Sequence, residues 1–201
     1  MGKIFYIIGK SSTGKDTILA ELLKDEALGL LEATQYTTRP MRAGEVEGRE
    51  YHFITDEQAD RFKADGKIIE MRAYNTVYGV WKYLLVDDGN LDLKKHNYVA
   101  VGTVESYCQA RDFFGEKKVL PIYIEVETGE RLQRALNRER KHAGPKYTEM
   151  CRRFLADEAD FSMEKLEEAG LARDGVIQNC FENVVIEDCI QAVKEFIRTN
   201  L

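Results

Sequence analysis

A short apolar run, Ile4 to Ile8 (IFYII), passes directly into Gly9-Lys10-Ser11-Ser12-Thr13-Gly14-Lys15, and Ile18, Leu19, Leu22 and Leu23 then recur at helical spacing. Few junctions constrain a chain more. The run of β-branched and aromatic residues predicts a strand buried on both faces, and the stripe from Thr17 to Leu23 predicts a helix. The two glycines let the connecting backbone curl so that successive N–H groups point inward, beside the positive end of the helix dipole. That is the build of a phosphate loop. Gly9, Ser11, Ser12, Thr13, Gly14, Lys15, Asp16 and Thr17 are its candidate contacts to ATP, with Lys15 reaching the β- and γ-phosphates as a point charge. A hydroxyl residue that ligates Mg²⁺ usually follows the lysine. Here Asp16 stands there, and it can bind Mg²⁺ directly, bind it through a water, or cap the helix.

The rest of the chain alternates in the same way. Tyr98–Val101, Leu120–Val126 and Val184–Ile186 read as further interior strands. Val104–Phe114, Glu130–Lys141, Tyr147–Ala169 and Cys189–Ile197 read as helices. The expected fold is α/β, a parallel sheet of the P-loop NTPase type covered by helices on both faces. Residues 34–83 break the rhythm: strand-like Tyr51–Ile54 and Ile68–Tyr74 flank the polar loop Arg39–Glu50, and a helix over Asp56–Asp65 ends at Gly66. The expected division is one domain over 1–201, with a core of 1–33, 84–137 and 154–201, an inserted subdomain at 34–83 and a short lid at 138–153.

Composition excludes several classes. Thirty-five acids against 29 bases give a net charge of −6 over 201 residues, which disfavours nucleic acid as a partner. No apolar stretch approaches the ~20 residues a bilayer demands, so no membrane partner is expected. The start MGKIFYIIGK has no small-residue cleavage site and is not read as a signal peptide. Cys108, Cys151, Cys180 and Cys189 show no close pairing and read as buried thiols of a cytoplasmic protein. His52, His96 and His142 are too scattered for a metal site.

The loop TTRPMRAGEVEGREYHF (residues 37–53) places Arg39 and Arg42 three apart, with Tyr51 nine residues on. Planar, permanently charged guanidinium forks suit a monophosphate dianion; Glu45, Glu47 and Glu50 would equally make this a salt-bridged surface loop. This string closely resembles the monophosphate-binding segment of the guanylate kinase family, and together with the phosphate loop the similarity runs over nearly the whole chain. The resemblance implies ATP-dependent phosphorylation of GMP with Mg²⁺, by a monomer or homodimer. It assigns the GMP phosphate to Arg39, Arg42, Tyr51 and Tyr78, and the guanine edge to Glu70 with help from Gln35. A carboxylate can accept from guanine N1–H and the 2-amino group together, whereas adenine would face it lone pair to lone pair.

The chain departs from the family pattern in three places: Gln35 and Val80 replace small hydroxyl residues, and Val99–Glu105 lacks the aspartates that support Mg²⁺, with Glu105 the nearest carboxylate but out of register. Gln35 and Val80 keep open a second acceptor, such as a sugar phosphate; a non-catalytic binding module, like the guanylate-kinase-like domains of scaffold proteins, is the remaining alternative, although those typically lack an intact phosphate loop and Gly9, Gly14 and Lys15 are all present here. Past the second half of the sheet, Arg138 or Arg140 and Arg153 are the candidate catalytic arginines of the lid, alongside Lys15. Arg131 and Arg134 read as solvated helix surface paired with Glu130 and its neighbours.

Overall fold

The structure, a computed structural model, describes residues 2–42, 44–76 and 79–201. Eleven strands and seven α-helices are present among them: β1 (Ile4–Ile8), α1 (Lys15–Leu23), β2 (Leu30–Glu32), β3 (Tyr36–Thr37), β4 (His52–Phe53), α2 (Asp56–Ala64), β5 (Ile68–Thr76), β6 (Gly79–Val86), β7 (Asn97–Gly102), α3 (Val104–Phe114), β8 (Val119–Glu125), α4 (Thr128–Arg140), α5 (Tyr147–Asp160), α6 (Met163–Glu168), β9 (Ala172–Arg173), β10 (Val176–Ile177), β11 (Cys180–Glu182) and α7 (Ile186–Asn200). A five-stranded sheet has the order β11-β8-β1-β7-β2, every pair parallel. Every residue of β1 is fully buried because β1 is the central strand with a layer on each face. Ile4, Tyr6 and Ile8 pack on one side with α3, and Phe5 and Ile7 on the other with Ile18 and Leu22 of α1 and Val193 and Ile197 of α7. This is the P-loop NTPase-type α/β fold that the alternating pattern predicts.

Residues 36–86 build a second sheet of order β4-β3-β6-β5, in which β5 and β6 form an antiparallel pair. Tyr36, Ala59, Leu84 and Val86 are its own small core. The capping box of Thr55 and Gln58 starts α2, and Gly66 at φ +66° ends it.

Two predicted elements need correction. The strand expected at Val184–Ile186 lies four residues earlier: Cys180–Glu182 pairs with β8, while Val184 is 79% exposed and Ile186 opens α7. Cys-Phe-Glu alternates at an edge, with Phe181 turned inward, and so lacks the continuous apolar run of an interior strand. The helix expected over Tyr147–Ala169 breaks in two, because Phe161 turns into the core and Ser162 caps α6 by accepting from the Lys165 N–H. The thiols also differ from expectation: Cys189 is buried, but Cys151 and Cys180 are exposed.

Candidate active site

Because β1 is central, the loop after Ile8 leaves at the carboxyl edge of the sheet, where open α/β sheets place their ligands. A Cβ at Gly9 would stand 2.6 Å from the Ile124 carbonyl oxygen, and one at Gly14 (φ +91°) 2.7 Å from Asn183 Nδ2. Both positions therefore demand glycine. Ser12 adopts φ +67°, a strained value for a residue with a side chain. Thr13 is buried and donates to the Lys10 carbonyl at 2.9 Å. Lys15 curls back over the loop and donates to the carbonyls of Gly9 (2.7 Å) and Lys10 (2.8 Å). Burial lowers its ammonium to about 8, against the pull of Asp16 and Asp157. Asp16 and Thr17 are exposed in the first turn of α1.

The far wall of this loop comes from α4 and α5. Ser11 N–H donates to Asp157 Oδ2 at 2.7 Å, and Lys10 Nζ meets Glu158 Oε2 at 2.8 Å. Both carboxylates are held by Arg131, through Nη1 to Asp157 at 3.3 Å and Nη2 to Glu158, while its guanidinium stacks 3.8 Å above the Phe154 ring. Arg131 is thus the reverse of the solvated residue expected from sequence, at 1% exposure. Its place on the buried face of α4, beside Ala135, outweighs its charge because α5 supplies two acids. Arg134 does pair with Glu130 at 2.8 Å, as expected. Arg138, Arg140 and Arg153 are exposed, and the Arg138 charge bears on Lys15. Arg153 approaches Glu149 at 3.7 Å.

In the second sheet, Arg39 is buried and fixed from all sides. It makes a bidentate pair with Glu45 (2.8 and 3.0 Å) and lies over the rings of Tyr51 and Phe53 at 5.5 and 5.6 Å. Arg42 is exposed, and its backbone N–H ties to Glu45 Oε2 at 2.7 Å. Tyr51 packs edge-on against Tyr83, and burial raises its phenol, with the Asp16 charge adding to the rise. Burial also raises the Glu32 carboxyl at the end of β2, helped by Glu50 and Asp16 together. The Asp16 charge beside the phosphate loop is therefore felt at both Glu32 and Tyr51. Tyr78 lies outside the described residues.

Gln35 and Glu70 come together as expected, at 3.3 Å, and a residue that sequence reasoning did not single out joins them: Arg72. Glu70 is fully buried and Arg72 9% exposed. Arg72 Nε and Nη2 reach the two Glu70 oxygens at 3.0 and 3.1 Å. Val80 is 47% exposed, and Glu105 is taken up by Gln109 at 3.2 Å.

A groove of about 550 Å³ opens beside the phosphate loop between Arg134 of α4 and residues 183–187, which lead into the first turn of α7. Sequence reasoning missed it, having placed a strand across Val184–Ile186. Asn183 anchors the segment by donating to the Thr13 carbonyl at 2.7 Å, and Arg134 Nη2 donates to the Asn183 carbonyl at 3.1 Å. Val184 and Val185 are both exposed, which nothing in their β-branched sequence announces.

Known proteins resemble this chain in sequence and in fold. The family model described as guanylate kinase matches residues 1–200. A guanylate kinase of Schizosaccharomyces pombe is 39% identical over 74 residues, 36% of this chain and 37% of that protein. One from Shewanella frigidimarina is 35% identical over 85 residues, 42% of this chain and 41% of the other. These alignments thus span about two fifths of the relatives' lengths. A ribose 1,5-bisphosphate phosphokinase PhnN of Klebsiella pneumoniae is 32% identical over 148 residues, 71% of this chain and 72% of that one. The crystal structure of guanylate kinase from Anaplasma phagocytophilum superposes with a TM-score of 0.66 at 20% identity, covering 98% of this chain and 85% of the other.

Proposed function

Since this chain belongs to the guanylate kinase family, we propose that it transfers the γ-phosphoryl group of ATP to a nucleoside monophosphate, GMP, giving ADP and GDP. One observation supports the reading: the chain carries a phosphate loop with its lysine on one sheet and, on a separate sheet, an arginine loop in which Arg39 is fixed by Glu45 over the rings of Tyr51 and Phe53. Two phosphorylated molecules held end to end need two such sites.

In this reading residues 9–17 cradle the triphosphate and the groove beside Arg134 and Asn183 takes the donor base. Arg39, Arg42, Tyr51 and Tyr78 hold the acceptor phosphate. Residues 34–83 are the acceptor subdomain and 138–153 the lid, with Arg138 and Arg153 closing on the charge that spreads over the transferring group. No covalent intermediate is needed, because positioning and electrostatics supply the rate. Among the described residues no group of three or more His, Cys, Asp or Glu side chains is placed to hold a metal. Magnesium asks less: one or two carboxylates plus substrate phosphates and waters. Exposed Asp16 at the loop fits that demand, and the ion, when bound, would offset the negative charge of the transferring phosphates. Among the described residues no helix is long and apolar enough to cross a membrane.

A coupled assay of ADP release with GMP, dGMP, AMP, CMP and UMP tests the proposal, and absence of turnover with the guanine nucleotides would overturn it. A second reading, phosphorylation of a sugar phosphate, is favoured by the Klebsiella relative, whose alignment is longer than those of the two guanylate kinases. Ribose phosphates in the same assay separate the two.

A further inference from the structure

Alternation along β5 puts Glu70 and Arg72 on one face of the second sheet. Counting donors and acceptors there gives an unexpected result. Glu70 Oε1 accepts from Arg72 Nη2 at 3.1 Å and from Gln35 Nε2 at 3.3 Å, which takes up both of its lone pairs; Oε2 accepts from Arg72 Nε at 3.0 Å. Arg72 Nη2 spends its second hydrogen on Gln35 Oε1 at 3.0 Å, and Gln35 Nε2 also leans on the Val101 carbonyl at 3.3 Å. Reading N1–H and the 2-amino group of guanine side by side requires a lone pair on each carboxylate oxygen. Glu70 can supply that only by giving up Arg72 or Gln35, and a buried guanidinium that loses its carboxylate is left uncompensated. The group with capacity to spare is Arg72. Its two Nη1 hydrogens have no hydrogen-bond partner among the described residues, and its charge reaches the Tyr51 phenol in the acceptor loop.

We propose that Arg72, aimed by Glu70 and Gln35, is the residue that selects the acceptor base, its Nη1 donating to an exocyclic oxygen such as O6 of a 6-oxopurine. Glu70 is then a positioning residue. The inference rests on the nucleoside monophosphate kinase reading and changes what that site discriminates. An arginine donor accepts an oxo group and meets the 6-amino group of adenine donor to donor. The 2-amino group of guanine goes unread, so hypoxanthine and guanine nucleotides are equivalent acceptors.

Calorimetric binding of GMP, IMP and AMP to the full chain, with turnover measured alongside, tests this. The expected result is an IMP affinity within fivefold of that for GMP, an AMP affinity weaker than either by more than fivefold, and loss of the oxo-over-amino preference in Arg72→Met. A merely structural role for Arg72 would weaken all three nucleotides together. Should Arg72→Met not fold, the wild-type GMP:IMP ratio and the milder Arg72→Lys still decide. GMP turnover with more than fivefold discrimination against IMP overturns the role of Arg72 and leaves the kinase reading standing. Turnover of ribose phosphates with no purine monophosphate bound overturns both.

Discussion

Arg131→Ala is the substitution on which sequence and structure disagree most. The wild-type side chain is 1% exposed, pairs with Asp157 and Glu158 and stacks on Phe154. Removing one partner of a fully buried ion pair costs roughly 3–5 kcal/mol, and a desolvated cation–π contact is worth about 2 kcal/mol. Here the sum must be discounted. Glu158 is 40% exposed and keeps Lys10, Asp157 keeps the Ser11 N–H, and Arg131 Nε is buried without a partner in the native state. A loss of about 3 kcal/mol results, and at 2–4 °C per kcal/mol for a domain of this size it lowers Tm by about 6–12 °C. The control is Arg152→Ala on α5, whose exposed i,i+3 pair with Glu149 is worth about 0.5 kcal/mol or less. Differential scanning fluorimetry on both variants reads the difference directly. Equal Tm values would refute the assignment of Arg131 to the interior.

Lys15→Ala should abolish phosphoryl transfer and leave the far-ultraviolet circular dichroism unchanged; retained turnover would contradict its role. With the wild-type ammonium lowered to about 8, ATP affinity should fall about tenfold between pH 7 and pH 9, as isothermal titration at fixed salt would read. The sign for stability is opposite: the folded state sheds this proton before the unfolded one, so from about 8 to 10.5 the Lys15 contribution to stability rises with pH, and unfolding cannot mimic the loss of binding. Arg42→Ala should raise the KM of the monophosphate about tenfold to a hundredfold with kcat little changed, from the loss of one charge-assisted contact of about 1.5–3 kcal/mol. Asn183→Ala leaves the buried Thr13 carbonyl without its 2.7 Å donor and should lower Tm by about 2–12 °C on an expected cost of about 1–3 kcal/mol.

What was legible in the sequence was what local rules decide. Ile4–Ile8 and Val104–Phe114 end where the residues say they should, because one is a continuous apolar run and the other opens on the Thr103–Ser106 capping box. The phosphate loop was legible because its glycines answer to steric needs within the loop and one strand away. The rest depended on partners distant in the chain. Nothing near Arg131 announces Asp157 and Glu158, and the period that puts it on the buried face of α4 is masked by four arginines in ten residues, 131, 134, 138 and 140. Gly79–Val86 forms a strand because Ile68–Thr76 pairs with it. Glu70 was legible only through the family resemblance and Arg72 not at all, because the packing of β5 toward α3 that accompanies their burial depends on residues distant in the chain.

A chain of charge −6 proposed to hold two polyanions must keep its acids from repelling them, and in this fold the acids near the candidate site are paired with its own cations. Glu45 holds Arg39, Asp157 and Glu158 hold Arg131, and Glu70 holds Arg72. Each pairing reduces the raw attraction its site exerts on phosphate, since part of the cation's field is already answered. In exchange a long side chain is fixed in one orientation before any ligand arrives, and the ordering entropy is met in folding. For phosphoryl transfer that exchange is favourable, because stabilisation of a developing charge depends on donors already in place. Uniformly tight binding of the ground state would lower KM without raising kcat. The carboxylates around these guanidiniums are therefore part of the machinery that aims them, and the negative net charge is compatible with two phosphate sites.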